Sequence, residues 1–386
     1  MTLDRLLFLS FILVQCGFSM LWARAARRRW SGWTRLAAYC AILLFGLLFA
    51  AGYLCSFSRV SGRLHVPAQI ATLLGAAGLA YILVGASVLV IYEIKKRIAR
   101  HFDADTDPAR RRAIQATGTI LMAAPFAALG YGTFIERSNF HVREIDLPVP
   151  GMAPDLEGLR ILQLSDIHLS AFLSEAELER VIDEAAGLRA HVAVITGDLI
   201  STHGDPLDAC IRQLTRIKAD AGVFGCNGNH ELYAGVEGYT ARACGRVGIR
   251  FLRHEACALR FGNSVLNLAG IDYQPFGHRY HYLRGVEQLL VPGACNVLLS
   301  HNPDVFPVAA QQGYNLMLSG HTHGGQVTVE ILDQSISAAR FFTPYVYGVY
   351  REGAATGYVT RGIGTIGLPA RLGAPPEISL LRLRRA

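Results

Sequence analysis

Long uncharged stretches separated by short basic ones fill the first third of the chain. Leu6–Trp22, Leu36–Phe57, Val66–Tyr92 and Ala113–Ile135 contain no charged residue. A helix that crosses a bilayer needs roughly 17–25 predominantly apolar residues. None of the four shows the polar face that a helix of a soluble bundle presents to water. The expectation is therefore four membrane-spanning helices over residues 1–135. Gly75, Ala76, Ala77, Gly78, Gly85 and Ala86 in the third stretch would let helix backbones approach closely.

Beyond residue 135 the period changes. Residues 136–157, with Pro148, Pro150 and Pro154, read as a linker and an opening strand. Over 158–386 short apolar runs alternate with helical patterns, as in an α/β domain. Arg160–Leu164, His191–Ile195, Gly222–Cys226, Val265–Ile271, Asn296–Leu299 and Asn315–Leu318 read as strands. Ser174-x-x-Glu177 is a capping box that opens a helix to about residue 188. Pro206–Lys218 reads as a second helix, and a short one starts near Pro303.

Charge sharpens the division. Residues 1–135 carry 15 Lys+Arg against 5 Asp+Glu, a net of +10, whereas residues 136–386 carry 22 against 25, a net of −3. The basic residues sit beside apolar spans without interleaved aromatics, which argues against a nucleic-acid partner. The first connecting loop holds Arg24, Arg27, Arg28, Arg29 and Arg35, and the third holds a comparable cluster from Lys95 to Arg112. The second holds only Arg59 and Arg63. Positive loops stay cytoplasmic, so both termini, and the domain after the spans, are expected outside the cytoplasm. Cys210, Cys226, Cys244, Cys257 and Cys295 follow no CxxC spacing, which speaks against a disulfide framework or a thiolate metal site.

Candidate chemistry lies where the strands end. Arg160–Leu164 leads into Ser165-Asp166-Ile167-His168, His191–Ile195 into Thr196-Gly197-Asp198, and Gly222–Cys226 into Asn227-Gly228-Asn229-His230-Glu231. Asn296–Leu299 leads into Ser300-His301, and Asn315–Leu318 into Gly320-His321-Thr322-His323. Ligands of open α/β sheets sit at the carboxyl ends of strands. Imidazole and carboxylate there point to a transition-metal site.

Taken in order, Asp166-x-His168, Gly197-Asp198, Gly228-Asn229-His230-Glu231, His301 and Gly320-His321-x-His323 resemble the calcineurin-like metallophosphoesterases. The likeness covers about residues 158–382, and the tail from Gly362-Ile363-Gly364 to Pro376-Glu377-Ile378 resembles a membrane-associated bacterial branch. It implies an α/β fold of two packed β-sheets flanked by helices, here preceded by an all-α four-helix transmembrane anchor. It also implies two divalent ions, with Asp166, His168, Asp198 and His323 around the first. Asp198 as a bridge, Asn229, His301 and His321 would hold the second. His230 would face the substrate. Ser201 departs from the pattern, since many relatives carry an acidic residue there.

Two ions bring four positive charges and the two aspartates remove two, so the cluster still attracts a phosphate after gaining hydroxide. The N/O donor set suits Mn, Fe, Zn or Ni. His230 would give a proton to the leaving oxygen of a phosphodiester or pyrophosphate attacked by a metal-bound hydroxide. Glu231 either orients His230 or caps the next helix. Pro275–His281 is an ordinary surface loop or a contact for a phosphate or acyl chain. Phe341–Tyr350 is a core strand, a pocket wall or an interfacial lip. Tethering in a bacterial inner membrane makes a lipid-linked phosphoester the expected substrate class. Soluble nucleotides or phosphoproteins are the alternative, and a metal-binding scaffold without turnover is the third reading.

Overall fold

The computed structural model describes residues 3–56, 67–102, 107–331 and 334–386. The expected second loop with Arg59 and Arg63, and the span ends Phe57 and Val66, lie outside the described residues. The chain forms two compact units, Met1–Thr133 with Gly367–Pro369, and Phe134–Ile366 with Ala370–Ala386.

The first unit is helical: α1 (Leu3–Arg29), α2 (Gly32–Ser56), α3 (Ala68–Phe102) and α4 (Pro108–Phe134). Each covers most of one uncharged stretch, because long apolar runs satisfy their backbone polarity by closing it into helix. Among the described residues, Thr72–Ile98 and Ala116–Ser138 are long and apolar enough to cross a membrane. The apolar part of α2, Gly32–Leu48, is shorter, and α1 ends in an arginine cluster. Leu43, Leu47, Val90, Ile120 and Phe126 all stand exposed, an apolar surface unlike that of a soluble helical bundle. Gly85 has the role expected of a small residue, since a Cβ there would come 2.9 Å from the Phe18 ring.

The second unit begins with β1 (His141–Val149), β2 (Arg160–Leu164), β3 (Val192–Thr196), β4 (Val223–Cys226) and β5 (Ile249–Phe251). Next come β6 (Glu255–Phe261), β7 (Ser264–Gly270), β8 (Cys295–Leu299) and β9 (Leu316–Ser319). A hairpin of β10 (Thr328–Ile331) and β11 (Gln334–Ser337) precedes β12 (Gly348–Glu352), β13 (Ala355–Val359) and β14 (Glu377–Arg385). One six-stranded sheet runs β1-β14-β2-β3-β4-β5 and the other β12-β13-β9-β8-β7-β6.

Period-two patterning explains the layers. Ile161, Val192 and Val194 face Val297, Leu299, Leu316 and Leu318 in the core between the sheets. Their neighbours Leu162, Leu164, Ala193 and Ile195 face the outer helices. Those helices are α5 (Glu175–Gly187), α6 (Leu207–Leu214), α7 (Asn229–Ala234) and α8 (Glu237–Arg246), while α9 (Phe306–Gln312) covers the second sheet. The capping box at α5 forms as its sequence implies: Ser174 Oγ accepts from Glu177 N at 3.2 Å and Glu177 Oε2 accepts from Ser174 N at 2.8 Å. The helix expected over Pro206–Lys218 stops at Leu214, where Thr215 Oγ1 turns back to donate to the Arg212 carbonyl. Cys210, Cys226, Cys244 and Cys295 are buried free thiols.

Candidate metal centre

Strands β2, β3 and β4 are parallel, as are β7, β8 and β9, so the loops leaving them gather at one edge of the sandwich. The backbone there is held out of its usual range. Asp166 (φ 50°), His168 (50°), Asp198 (57°), His321 (78°) and His323 (53°) are five of the eight described non-glycine residues with positive φ. Such conformations cost about 1–3 kcal/mol each and persist where surrounding structure enforces them. Glycine lets the loops approach. A Cβ on Gly228 would sit 2.1 Å from Asp198 Oδ1, and one on Gly320 would sit 2.2 Å from Asp166 Oδ2.

All seven expected ligands converge. Asp166, His168 and His323 form one group, with His323 Nε2 3.5 Å from Asp166 Oδ1 and the His168 and His323 rings stacked at 4.9 Å. Asp198, His301 and His321 form a second, with His321 Nδ1 3.2 Å from His301 Nε2. Asn229 Oδ1 joins it, 3.0 Å from His301 Nε2. Asp198 Oδ2 lies between the groups, 3.5 Å from His168 Nε2 and 3.0 Å from His301 Nε2. The other oxygen of Asp198 accepts from the His230 backbone at 2.8 Å. The turn after β9 swings the His-x-His pair apart, His321 toward His301 and His323 toward His168.

A surrounding shell fixes the ring nitrogens. His301 Nδ1 bonds the Thr196 carbonyl at 2.6 Å, His323 Nδ1 the Gly364 carbonyl at 3.3 Å, and His168 Nδ1 the Ser201 hydroxyl at 3.1 Å. In each case Nε2 is turned to the centre, the arrangement that orients metal-ligating histidines. Ser201, the departure noted in the sequence, also receives His230 Nδ1 on its carbonyl at 2.5 Å. Glu231 does not touch the His230 ring: it caps α7 through Gly228 N (2.8 Å) and ties down Asp198 N (2.9 Å) and Leu199 N (2.7 Å). Sequence reasoning missed Arg371, which is fully buried and donates to the carbonyls of Arg361, Gly362, Gly364, His323 and Ala374. It pins the loop whose Gly364 carbonyl holds His323 and whose backbone N–H groups bond Ser165 and Asp166. The only hint was an arginine amid glycines and prolines near the chain end.

Burial and repulsion from His230 hold the His168 imidazole down to about 3, and burial with the nearby His301 does the same for His321. His323 is held well below the usual range by burial, His168 and Arg371. Burial raises Asp166 to about 6. Burial works against charge on Asp198 too, but His301 and His230 hold it well below the ordinary carboxylate value. His301 goes the other way: burial opposes its charge, yet Asp198 and Asp166 lift it to about 10. Three neutral imidazoles and two carboxylates around shared points are a donor set for a hard-to-borderline divalent cation. His168 Nε2 is the clearest sign, since it is buried and has no hydrogen-bond partner.

Residues 159–325 match the family model of the calcineurin-like phosphoesterases. Those residues form a domain of that family. It is similar over its whole length to a zebrafish (Danio rerio) transmembrane protein with metallophosphoesterase domain, at 29% identity and covering 90% of that protein. It is 30% identical to an uncharacterised metallophosphoesterase of Campylobacter jejuni, over 63% of each chain. Phosphodiesterase YaeI of Escherichia coli is 28% identical over 71% of this chain and 99% of its own. As a calcineurin-like phosphoesterase the protein is a metal-dependent phosphoric ester hydrolase, and its buried histidine–aspartate groups are placed to hold the metal.

Proposed function

We propose that this calcineurin-like phosphoesterase holds two divalent ions, drawn from Mn, Fe, Zn and Ni, and hydrolyses a phosphodiester or pyrophosphate bond of a lipid-linked substrate. Asp166, His168, Asp198 and His323 hold one ion, and Asp198, Asn229, His301 and His321 the other. The observation that carries this reading is Asp198 Oδ2, set 3.5 Å from His168 Nε2 in one group and 3.0 Å from His301 Nε2 in the other. Two bound ions supply an acidified water and neutralise the oxygens of the transferring phosphoryl group.

The chain's own residues do the rest. His230 is less buried than His168 and His301, which leaves its ring open to substrate. Its Nδ1 is committed to the Ser201 carbonyl, which leaves Nε2 as the nitrogen that passes a proton to the leaving oxygen. Glu231 holds the Asp198 and Asn229 loops in register from beneath. His230→Ala tests the assignment. The variant retains the ions of the parent but loses roughly 10²–10⁴-fold in turnover of bis(p-nitrophenyl) phosphate. Undiminished turnover sinks it.

The four helices of the first unit form the anchor in this reading, all four crossing a bacterial inner membrane with loops one and three in the cytoplasm. The second unit then works outside, beside lipid headgroups, which favours a lipid-linked substrate. Protease added to intact spheroplasts is expected to cut this unit. Cleavage only after lysis reverses the orientation.

A further inference from the structure

Two basic, aromatic loops of the second unit are rooted at the metal centre and carry exposed aromatic side chains. The first is the turn Phe276–His281, where Tyr280 is 79% exposed. The second follows the β10–β11 hairpin, where Phe341 and Phe342 are 86% and 82% exposed. Apart from Phe134 at the end of α4 (81%), no other large apolar side chain described in this unit exceeds 62%.

Both loops are fastened to the turn after His301 and to the His-x-His segment. Tyr273, at the root of the first, packs on the rings of His301 (6.0 Å) and His321 (5.4 Å). Asn302 Nδ2 donates to the Gln274 carbonyl at 2.8 Å and to the Tyr282 hydroxyl at 3.3 Å, closing both ends of that loop. The second loop is held by Thr343 Oγ1 on Asp304 Oδ1 and by Thr322 Oγ1, between the two histidines, on the Val346 carbonyl, each at 2.5 Å. The roots of both loops therefore lie against the segments that carry His301, His321 and His323.

Their charge has one sign. Residues 273–286 and 338–351 contain Arg279, Arg284, Arg340 and Arg351 and no Asp or Glu. Exposed aromatics among arginines are the composition of segments that settle at the headgroup level of an anionic bilayer. The chain also passes from α4 to β1 through residues 135–140 alone, so the domain has a bilayer for a neighbour wherever α4 spans one.

We propose that Tyr280 and the Phe341–Phe342 pair form a lip that inserts into the interfacial layer of an anionic bilayer and brings the metal centre onto a headgroup. This rests on the membrane-anchored reading and deepens it, since a seated lip would let a lipid-linked phosphoester enter without leaving the membrane.

The test uses the full chain in nanodiscs of phosphatidylcholine and phosphatidylglycerol, with tryptophan placed by Phe342→Trp and, separately, Tyr280→Trp. Val247→Trp, at an exposed site far along the chain from either loop, is the aqueous control. After subtraction of the parent signal from Trp22, Trp30 and Trp33, both lip probes should emit to the blue of the control. Acyl-chain-brominated lipids should quench them roughly twofold. Emission and quenching equal to the control overturn the lip, and so does a blue shift without quenching, which places protein rather than lipid over the tip. No substrate enters this measurement. A lip that inserts while lipid extracts go unhydrolysed would refute the lipid-linked substrate alone.

Discussion

The two units of this chain answer to different rules. In the helical unit the information is a length of sequence without charge, and almost any apolar residue satisfies it. In the sandwich it sits in single atoms: Asp198 Oδ2 lies between two imidazoles, and a methyl group on Gly228 would collide with its partner oxygen. One region is specified by composition and the other by position, so equal-sized substitutions should have very unequal consequences.

The largest expected effect is in the centre. Asp198→Ala removes the carboxylate that lies between the two groups, and turnover of bis(p-nitrophenyl) phosphate should fall by roughly 10⁴-fold or more with loss of bound metal. A variant that keeps both ions would show that the two groups do not share this residue.

Next comes the shell. Arg371→Met removes the guanidinium donors from five carbonyls and should cost about 2–4 kcal/mol, read as a lower unfolding midpoint of the full chain. Its guanidinium, pushed down to about 10 by burial, is still charged at neutral pH. An unchanged midpoint would mean the loop over His323 holds itself.

A smaller effect concerns protons. His301 is lifted to about 10, so in the metal-free chain it contributes stability that is complete below its unfolded value of roughly 6.5. That contribution fades as pH rises through about 10. A divalent ion competes with the same proton, so ion affinity rises with pH across this window. Calorimetry at pH 7.5 in buffers of different ionisation enthalpy should reveal proton release. Identical heats in all buffers contradict it.

The smallest effect lies in the helices. Leu47→Ile in α2, at an exposed apolar position, should leave detergent stability within about 0.5 kcal/mol. Leu47→Lys at the same site should disturb membrane insertion by about 2.5–3.5 kcal/mol if α2 spans. Indifference to the lysine would remove α2 from the anchor.

The sequence was legible where a rule is local. The helices of the first unit follow from uncharged length, the α5 cap from Ser174 and Glu177, and the ligand loops from Asp, Asn and His placed after apolar runs. It was silent where the partner is distant. Strand β14 runs antiparallel to β2 and parallel to β1, pairings across more than two hundred residues that no short pattern encodes. Arg371 reads as one more arginine until folding removes it from water. Glu231 had two readings because its targets, Asp198 N and Leu199 N, come from another strand. Phe341–Tyr350 resolves into an exposed turn and the start of β12, half of what its aromatic run implied.

Metal analysis of the purified full chain, loaded with manganese and desalted, addresses the dinuclear centre most directly. The account predicts two ions per chain in the parent and His230→Ala, and fewer than one in Asp198→Ala. A parent that binds none, or an Asp198→Ala variant that still carries two, would contradict it.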